Sequence, residues 1–111
     1  MTYAILIPTY NPTEQLIHLI DALIKLKKTT IIIVNDGSDA KCASIFNVIL
    51  HQPGLIVLTH EKNKGKGAAL KTGLNYAYSN LINILGVVTA DGDGQHAAND
   101  IIAVGEQLET D

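Results

Sequence analysis

The sequence predicts an α/β fold: a Rossmann-like parallel sheet of about four strands with helices on both faces. Three observations carry this expectation. Short β-branched apolar runs alternate with stretches of helical periodicity, and the connections between them are short. The runs are apolar throughout, as strands buried on both faces require. Strand–helix–strand units within one sheet cross over right-handed, which makes the strands parallel. At 111 residues, 47% of them hydrophobic, the chain has enough apolar side chains to cover such a sheet and amounts to one domain or less.

The elements follow in order. Tyr3–Ile7 reads as a first buried strand. Asn11-Pro12-Thr13-Glu14 opens a helix, with Asn11 as cap, Pro12 at the first helical position and Glu14 reaching back. Leu16, Leu19, Ile20, Leu23 and Ile24 then recur at helical spacing. Thr30–Val34 is a second strand, ending in the turn cluster Asn35-Asp36-Gly37-Ser38-Asp39 that caps a helix from about Ala40 to His51. Pro53-Gly54 stops that helix, and Leu55–Leu58 makes a third strand. A third helix spans about Ala68 to Tyr78, a fourth strand Ile82–Thr89 and a fourth helix Ala98–Leu108.

In doubly wound sheets, ligands bind beyond the carboxyl ends of the strands. Here those ends carry Pro8-Thr9-Tyr10-Asn11, Asn35-Asp36-Gly37-Ser38, Thr59-His60-Glu61 and Asp91-Gly92-Asp93, so the polar residues collect on one edge. The paired aspartates Asp91 and Asp93 suit a hard cation, Mg²⁺ or Mn²⁺, shared with substrate phosphate oxygens. The other reading is a solvated turn in which one aspartate caps a helix. Asp36 can accept from a nucleobase imide or a ribose hydroxyl, or form an Asx turn feeding the second helix. Tyr10 can stack on a base. Lys62, Lys64 and Lys66 surround glycines at the start of the third helix, and Lys66 is the phosphate candidate among them. His96 is a third metal ligand or phosphate contact, or else a loop residue capping the fourth helix. His18 and His51 are surface residues, and His60 has no evident partner.

Several classes are excluded or disfavoured. A formal charge of −3 leaves no basic footprint for nucleic acid. The single cysteine, Cys42, rules out an internal disulfide and reads as a buried, inert thiol. No charged region precedes an apolar run at the start, and no run reaches the ~20 residues that span a bilayer, so the expectation is a cytoplasmic chain. Gly65-x-Gly67 lacks the third glycine of a dinucleotide fingerprint and lies in the third crossover. A calcium loop starting at Thr89 lacks the first acidic ligand and the terminal Glu. A phosphohydrolase using an aspartyl nucleophile wants its Asp-x-Asp after the first strand, where this chain has Pro8-Thr9-Tyr10.

Four ordered motifs together resemble the family 2 glycosyltransferases of the GT-A fold. They are Pro8-Thr9-Tyr10-Asn11, Val34-Asn35-Asp36-Gly37-Ser38, Asn63-Lys64-Gly65-Lys66-Gly67-Ala68-Ala69 with Gly73, and Asp91-Gly92-Asp93-Gly94-Gln95-His96. The chain is most similar to the branch containing the dolichyl- and polyprenyl-phosphate sugar synthases. The resemblance implies an inverting, metal-dependent transferase using a nucleotide-diphosphate sugar donor such as a UDP- or GDP-sugar. Its acceptor would be a polyprenyl phosphate or a growing glycan, met by the full-length protein at the inner membrane face. Pro8, Thr9 and Tyr10 would line the nucleoside pocket and Asp36 would contact the base. Asp91 would approach the ribose or donor sugar, Lys66 would lie near the donor, and Asp93 would hold Mg²⁺ or Mn²⁺. Relatives carry prolines after the histidine, where this chain has Ala97-Ala98. A catalytic domain of the family is also considerably longer. Its second half brings the acceptor pocket and the general base, so residues 1–111 are expected to be the donor-binding part. A binding module without transfer activity is the other function these features allow.

Overall fold

A computed structural model of the chain describes residues 2–27, 29–92 and 98–110. Four parallel strands form one sheet: β1 (Thr2–Thr9), β2 (Ile31–Asp36), β3 (Leu55–His60) and β4 (Ile84–Thr89). Their order is β3-β2-β1-β4, so the chain moves outward from β1 to β3 and then returns to β1's other side. The point where that direction reverses lies between β1 and β4. The helices are α1 (Glu14–Leu26), α2 (Ala43–Ile49), α3 (Lys66–Asn80) and α4 (Ala98–Thr110). A short 3-10 turn, Ala40–Cys42, leads into α2.

The alternation of side chains along the central strands divides the core. Tyr3, Ile5 and Ile7 of β1, with Ile31 and Ile33 of β2, face α1, α2 and α4. Leu6, Ile32 and Val34 face α3. Ile5 to Ile7 and Ile31 to Val34 are all essentially inaccessible to water. That is why the sequence shows continuous apolar runs there instead of alternation. Each fully buried large aliphatic side chain contributes about 1.5–3 kcal/mol, so this two-sided core is what fixes the sheet.

The helices differ in how they dock. α1 presents Leu16, Leu19, Ile20 and Leu23 as one apolar stripe. α3 buries only small residues, Ala69, Gly73 and Ala77, which bring its backbone close to the sheet. A Cβ added at Gly73 would lie 2.2 Å from Cδ1 of fully buried Leu6. At the C-terminal end of α1, Lys27 pairs with Glu109 of α4 and sits over the Tyr3 ring, 5.1 Å from its centroid.

The main correction to the sequence reading concerns the start of α1. Thr13, not Asn11, is the cap, its side chain accepting from the Gln15 N–H at 3.3 Å. Asn11 instead takes a left-handed backbone, φ 50°, and ties itself to the segment after β2. Its backbone N–H donates to Ser38 Oγ at 2.9 Å, and its side-chain oxygen accepts from the Asp39 N–H at 2.8 Å. The second helix also begins later than expected, because its first turn is 3-10. Cys42 is buried, as expected, with its thiol 3.7 Å from the Pro12 carbonyl. Among the described residues no helix is long and apolar enough to cross a membrane.

Replacing Gly73 by Val should lower stability by about 1–3 kcal/mol, the usual cost of overpacking a close-packed core. Gly67→Ala, where a Cβ meets nothing within 4 Å, should be neutral or stabilising by up to about 1 kcal/mol. Thermal melts followed by circular dichroism check both.

Candidate functional site

The β1–β4 ladder ends early. Its last pair is Leu6 with Thr89, closed by the Ala90 N–H donating to the Leu6 carbonyl at 3.0 Å. Pro8 follows, a residue with no N–H to offer. β1 continues beside β2 as far as Thr9 with Asn35, so a cleft opens where β4 departs from β1. A cavity of about 410 Å³ occupies it, lined by residues that include Pro8, Thr9, Tyr10, Asp36, Lys66 and Asp91. The six donor-site residues expected from sequence therefore share one cavity. Asn11, Asn63, Gly65 and Gly92 also line it. Tyr10 is 50% exposed, which leaves its ring available for contact with a ligand. Asp93 and His96, the expected metal ligands, lie outside the described residues.

Asp36 is the most constrained group in the site. It closes β2 with a relative exposure of 3%, opposite His60 in the β2–β3 register. Its Oδ1 lies 2.7 Å from His60 Nδ1 and accepts from the Lys64 N–H at 2.9 Å, while Oδ2 accepts from the Gly65 N–H at 2.9 Å. Burial alone would push this carboxyl up. The hydrogen bonds from His60 and the two amides outweigh it and hold the group below the ordinary carboxylate range. Asp36 does not form an Asx turn; its neighbour Asn35 bonds the turn instead, its Oδ1 accepting from the Ser38 N–H three residues on at 3.0 Å. Asp36 thus anchors the loop before α3, and Oδ2 keeps acceptor capacity beside the cavity.

That loop packs hard against the end of β2. Gly37 has φ +70°, and a Cβ there would stand 2.2 Å from the Lys62 carbonyl carbon and 2.3 Å from the Asn63 nitrogen. No side chain fits. Beyond the loop, Lys66 opens α3 and its Nζ lies 2.8 Å from Asp91 Oδ1, linking the helix start to the end of β4. Both side chains are well exposed, so this pair contributes at most about 1 kcal/mol and can yield to a stronger anion. The first amides of α3 add the positive end of a helix dipole. The chemistry assembled is a flat aromatic face, a hydrogen-bond acceptor and an anion-receiving corner.

His60 is a second correction. The sequence shows no partner for it, yet its Nδ1 meets Asp36 and its Nε2 lies 2.8 Å from Thr72 Oγ1 of α3. The pairing was available in principle, because Asp36 and His60 stand at equal distances from the starts of neighbouring parallel strands.

The Asp36 carboxyl titrates low, so its stabilising effect is complete above the unfolded carboxylate value of about 3.9 and is lost as pH falls through its depressed folded value. Asp36→Asn should therefore melt below the wild type at neutral pH. The gap should close as both are acidified from pH 5 to pH 2, measured by circular dichroism.

Comparison with known proteins places the chain in a family. The model of "Glycosyl transferase family 2" matches residues 4–111. The UDP-N-acetylglucosamine–dolichyl-phosphate N-acetylglucosaminyltransferase of Methanococcus voltae is 34% identical over 113 residues, covering 90% of this chain and 44% of that protein. A dolichyl-phosphate beta-glucosyltransferase of Trichomonas vaginalis is 25% identical, covering 96% of this chain and 35% of its own. The chain thus spans less than half the length of either relative. Among solved structures, S. aureus TarS 1-349 superposes with a TM-score of 0.74 at 19% identity, over 99% of this chain and 33% of TarS. The same protein in complex with UDP-GlcNAc gives a TM-score of 0.67, at 20% identity and over 99% and 32% of the two chains. The fold is shared with these, and the chain belongs to the family 2 glycosyltransferases.

Proposed function

We propose that these residues form the donor-binding part of an inverting glycosyltransferase. It would move a sugar from a UDP- or GDP-sugar to a polyprenyl phosphate or a growing glycan. The observation that carries the reading is the meeting of Pro8, Thr9, Tyr10, Asp36, Lys66 and Asp91 around one cavity at the reversal point of the sheet. Tyr10 stacks on the base, and the Asp36 end of the cavity accepts from its imide or from the ribose. Asp91 reaches the ribose or donor sugar. Lys66 and the first amides of α3 receive the diphosphate, the Lys66–Asp91 pair opening to do so. The names of the relatives support a dolichyl-type lipid phosphate as acceptor. Such an acceptor would bring the full-length protein to the cytoplasmic membrane face.

Mg²⁺ or Mn²⁺ fits the donor set. Asp91 lines the cavity, Asp93 follows two residues later, and such cations take one or two carboxylates alongside substrate phosphates. Asp93 would hold the ion, with His96 as a further ligand. When bound, the ion acts as a Lewis acid on the diphosphate, an effect of several kcal/mol on the barrier. In the transfer itself an acceptor oxygen attacks the anomeric carbon from the face opposite the diphosphate. The bond from that carbon to the phosphate oxygen breaks with inversion, and Lys66 balances charge on the departing nucleoside diphosphate. By the family resemblance, the general base would belong to the acceptor-binding half of such a domain.

A second reading is a module that binds donor and transfers nothing by itself. A turnover assay on residues 1–111 separates the two, since measurable transfer rejects the module.

Calorimetry with UDP-GlcNAc, GDP-mannose and a CDP-sugar, each with Mn²⁺, tests the donor site. One nucleotide class should bind, Asp93→Ala should abolish the Mn²⁺-dependent part, and Lys66→Ala should weaken binding about tenfold, or about 1.4 kcal/mol. Undiminished binding by the Asp93 variant, with its fold intact, rejects the metal role.

A further inference from the structure

We propose that His60 is a positioning residue for the donor site, acting through Asp36 on the loop that forms one wall of the cavity. The inference rests on the donor reading for its consequence, though not for its geometry. His60 is not among the residues lining the cavity, and only 8% of its side chain is exposed. Both ring nitrogens are engaged: Nδ1 lies 2.7 Å from Asp36 Oδ1 and Nε2 lies 2.8 Å from Thr72 Oγ1. An ionised carboxylate only accepts, so Nδ1 carries a proton, and in the neutral ring the Thr72 hydroxyl donates to Nε2. The ring therefore spans from the end of β2 to α3 and holds the Asp36 carboxylate at one angle.

That angle matters because the same carboxylate takes the Lys64 and Gly65 amides. These two residues lie between Asn63, which lines the cavity, and Lys66, which opens α3. A carboxylate free to rotate would present its oxygens to the two amides less well, and the wall would loosen at the place where a diphosphate must be met. The contact between Gly37 and the Lys62–Asn63 peptide leaves the loop little room on that side. Asp36 then tethers it from beneath.

The test uses three replacements that separate the two ring nitrogens. The Asn amide nitrogen falls near the position of Nδ1, the Gln amide nitrogen near that of Nε2, and Phe keeps the ring shape with neither. Amide hydrogen exchange by NMR reads the loop directly, and calorimetry with UDP-GlcNAc and Mn²⁺ reads its consequence. In His60→Phe, and in His60→Gln should the Phe variant fold poorly, exchange at Lys64 and Gly65 should quicken and donor affinity should fall, each about tenfold. His60→Asn should stay close to the wild type in both. On an Asp36→Asn background His60→Phe should add little, since residues acting through one another are not additive. Wild-type protection of Lys64 and Gly65 in His60→Phe would overturn the proposal, as would an equal loss of affinity with and without Asp36. If the wild type binds no UDP-, GDP- or CDP-sugar, the donor reading fails, and the exchange measurement alone decides the role of His60.

Discussion

The carboxylate of Asp36 is the point on which the site depends. A buried anion is costly unless it is met by hydrogen-bond donors, and this one is met by three, one from the end of β3 and two from the loop before α3. Those donors lie 24 to 29 residues further along the chain. The charge therefore converts a solvent-facing loop into a fixed wall and sets the start of α3 against the sheet. Asn11 does the corresponding work on the other side, bridging from the end of β1 to Ser38 and Asp39. Between these two polar ties the cavity has its shape before any ligand arrives.

The cavity itself follows from sheet topology. β1 is central: its pairing with β4 ends at Leu6, while its pairing with β2 runs on to Thr9. Proline at position 8 has no amide proton to donate there, so the split is written into the chain as well as into the fold. The positive end of α3 and the ammonium of Lys66 face the open corner, while Asp91 balances that charge from β4. In the proposed function this weak, exposed ion pair across the mouth would open for a diphosphate. A buried one would not.

Much of this was legible in the sequence, for identifiable reasons. Strands buried on both faces appear as unbroken apolar runs, and Ile31 to Val34 is as clear a case as Ile5 to Ile7. Strand ends on one edge of a parallel sheet gather their polar residues, so Tyr10, Asp36, Lys66 and Asp91 could be grouped before any coordinates. The failures are equally physical. Asn11 fits a helix cap in isolation, and only the tertiary contact with Ser38 and Asp39 draws it into a left-handed backbone while Thr13 caps instead. His60 was passed over because its partners belong to other strands and helices, and pairing by register needs the strand order. The tie from Asp36 to the Lys64 and Gly65 amides is invisible in the sequence for the same reason, since those donors lie 28 and 29 residues further on.

In the proposed function a nucleotide sugar occupies the cleft between β1 and β4. The most direct measurement is backbone amide shift mapping of the isotopically labelled chain during titration with UDP-GlcNAc and Mg²⁺, repeated with GDP-mannose. One donor should move the amides of Thr9, Tyr10, Gly65, Lys66 and Gly92 together and leave those of α2 still. Perturbations centred on another face of the sheet, or none with either donor, would contradict that function.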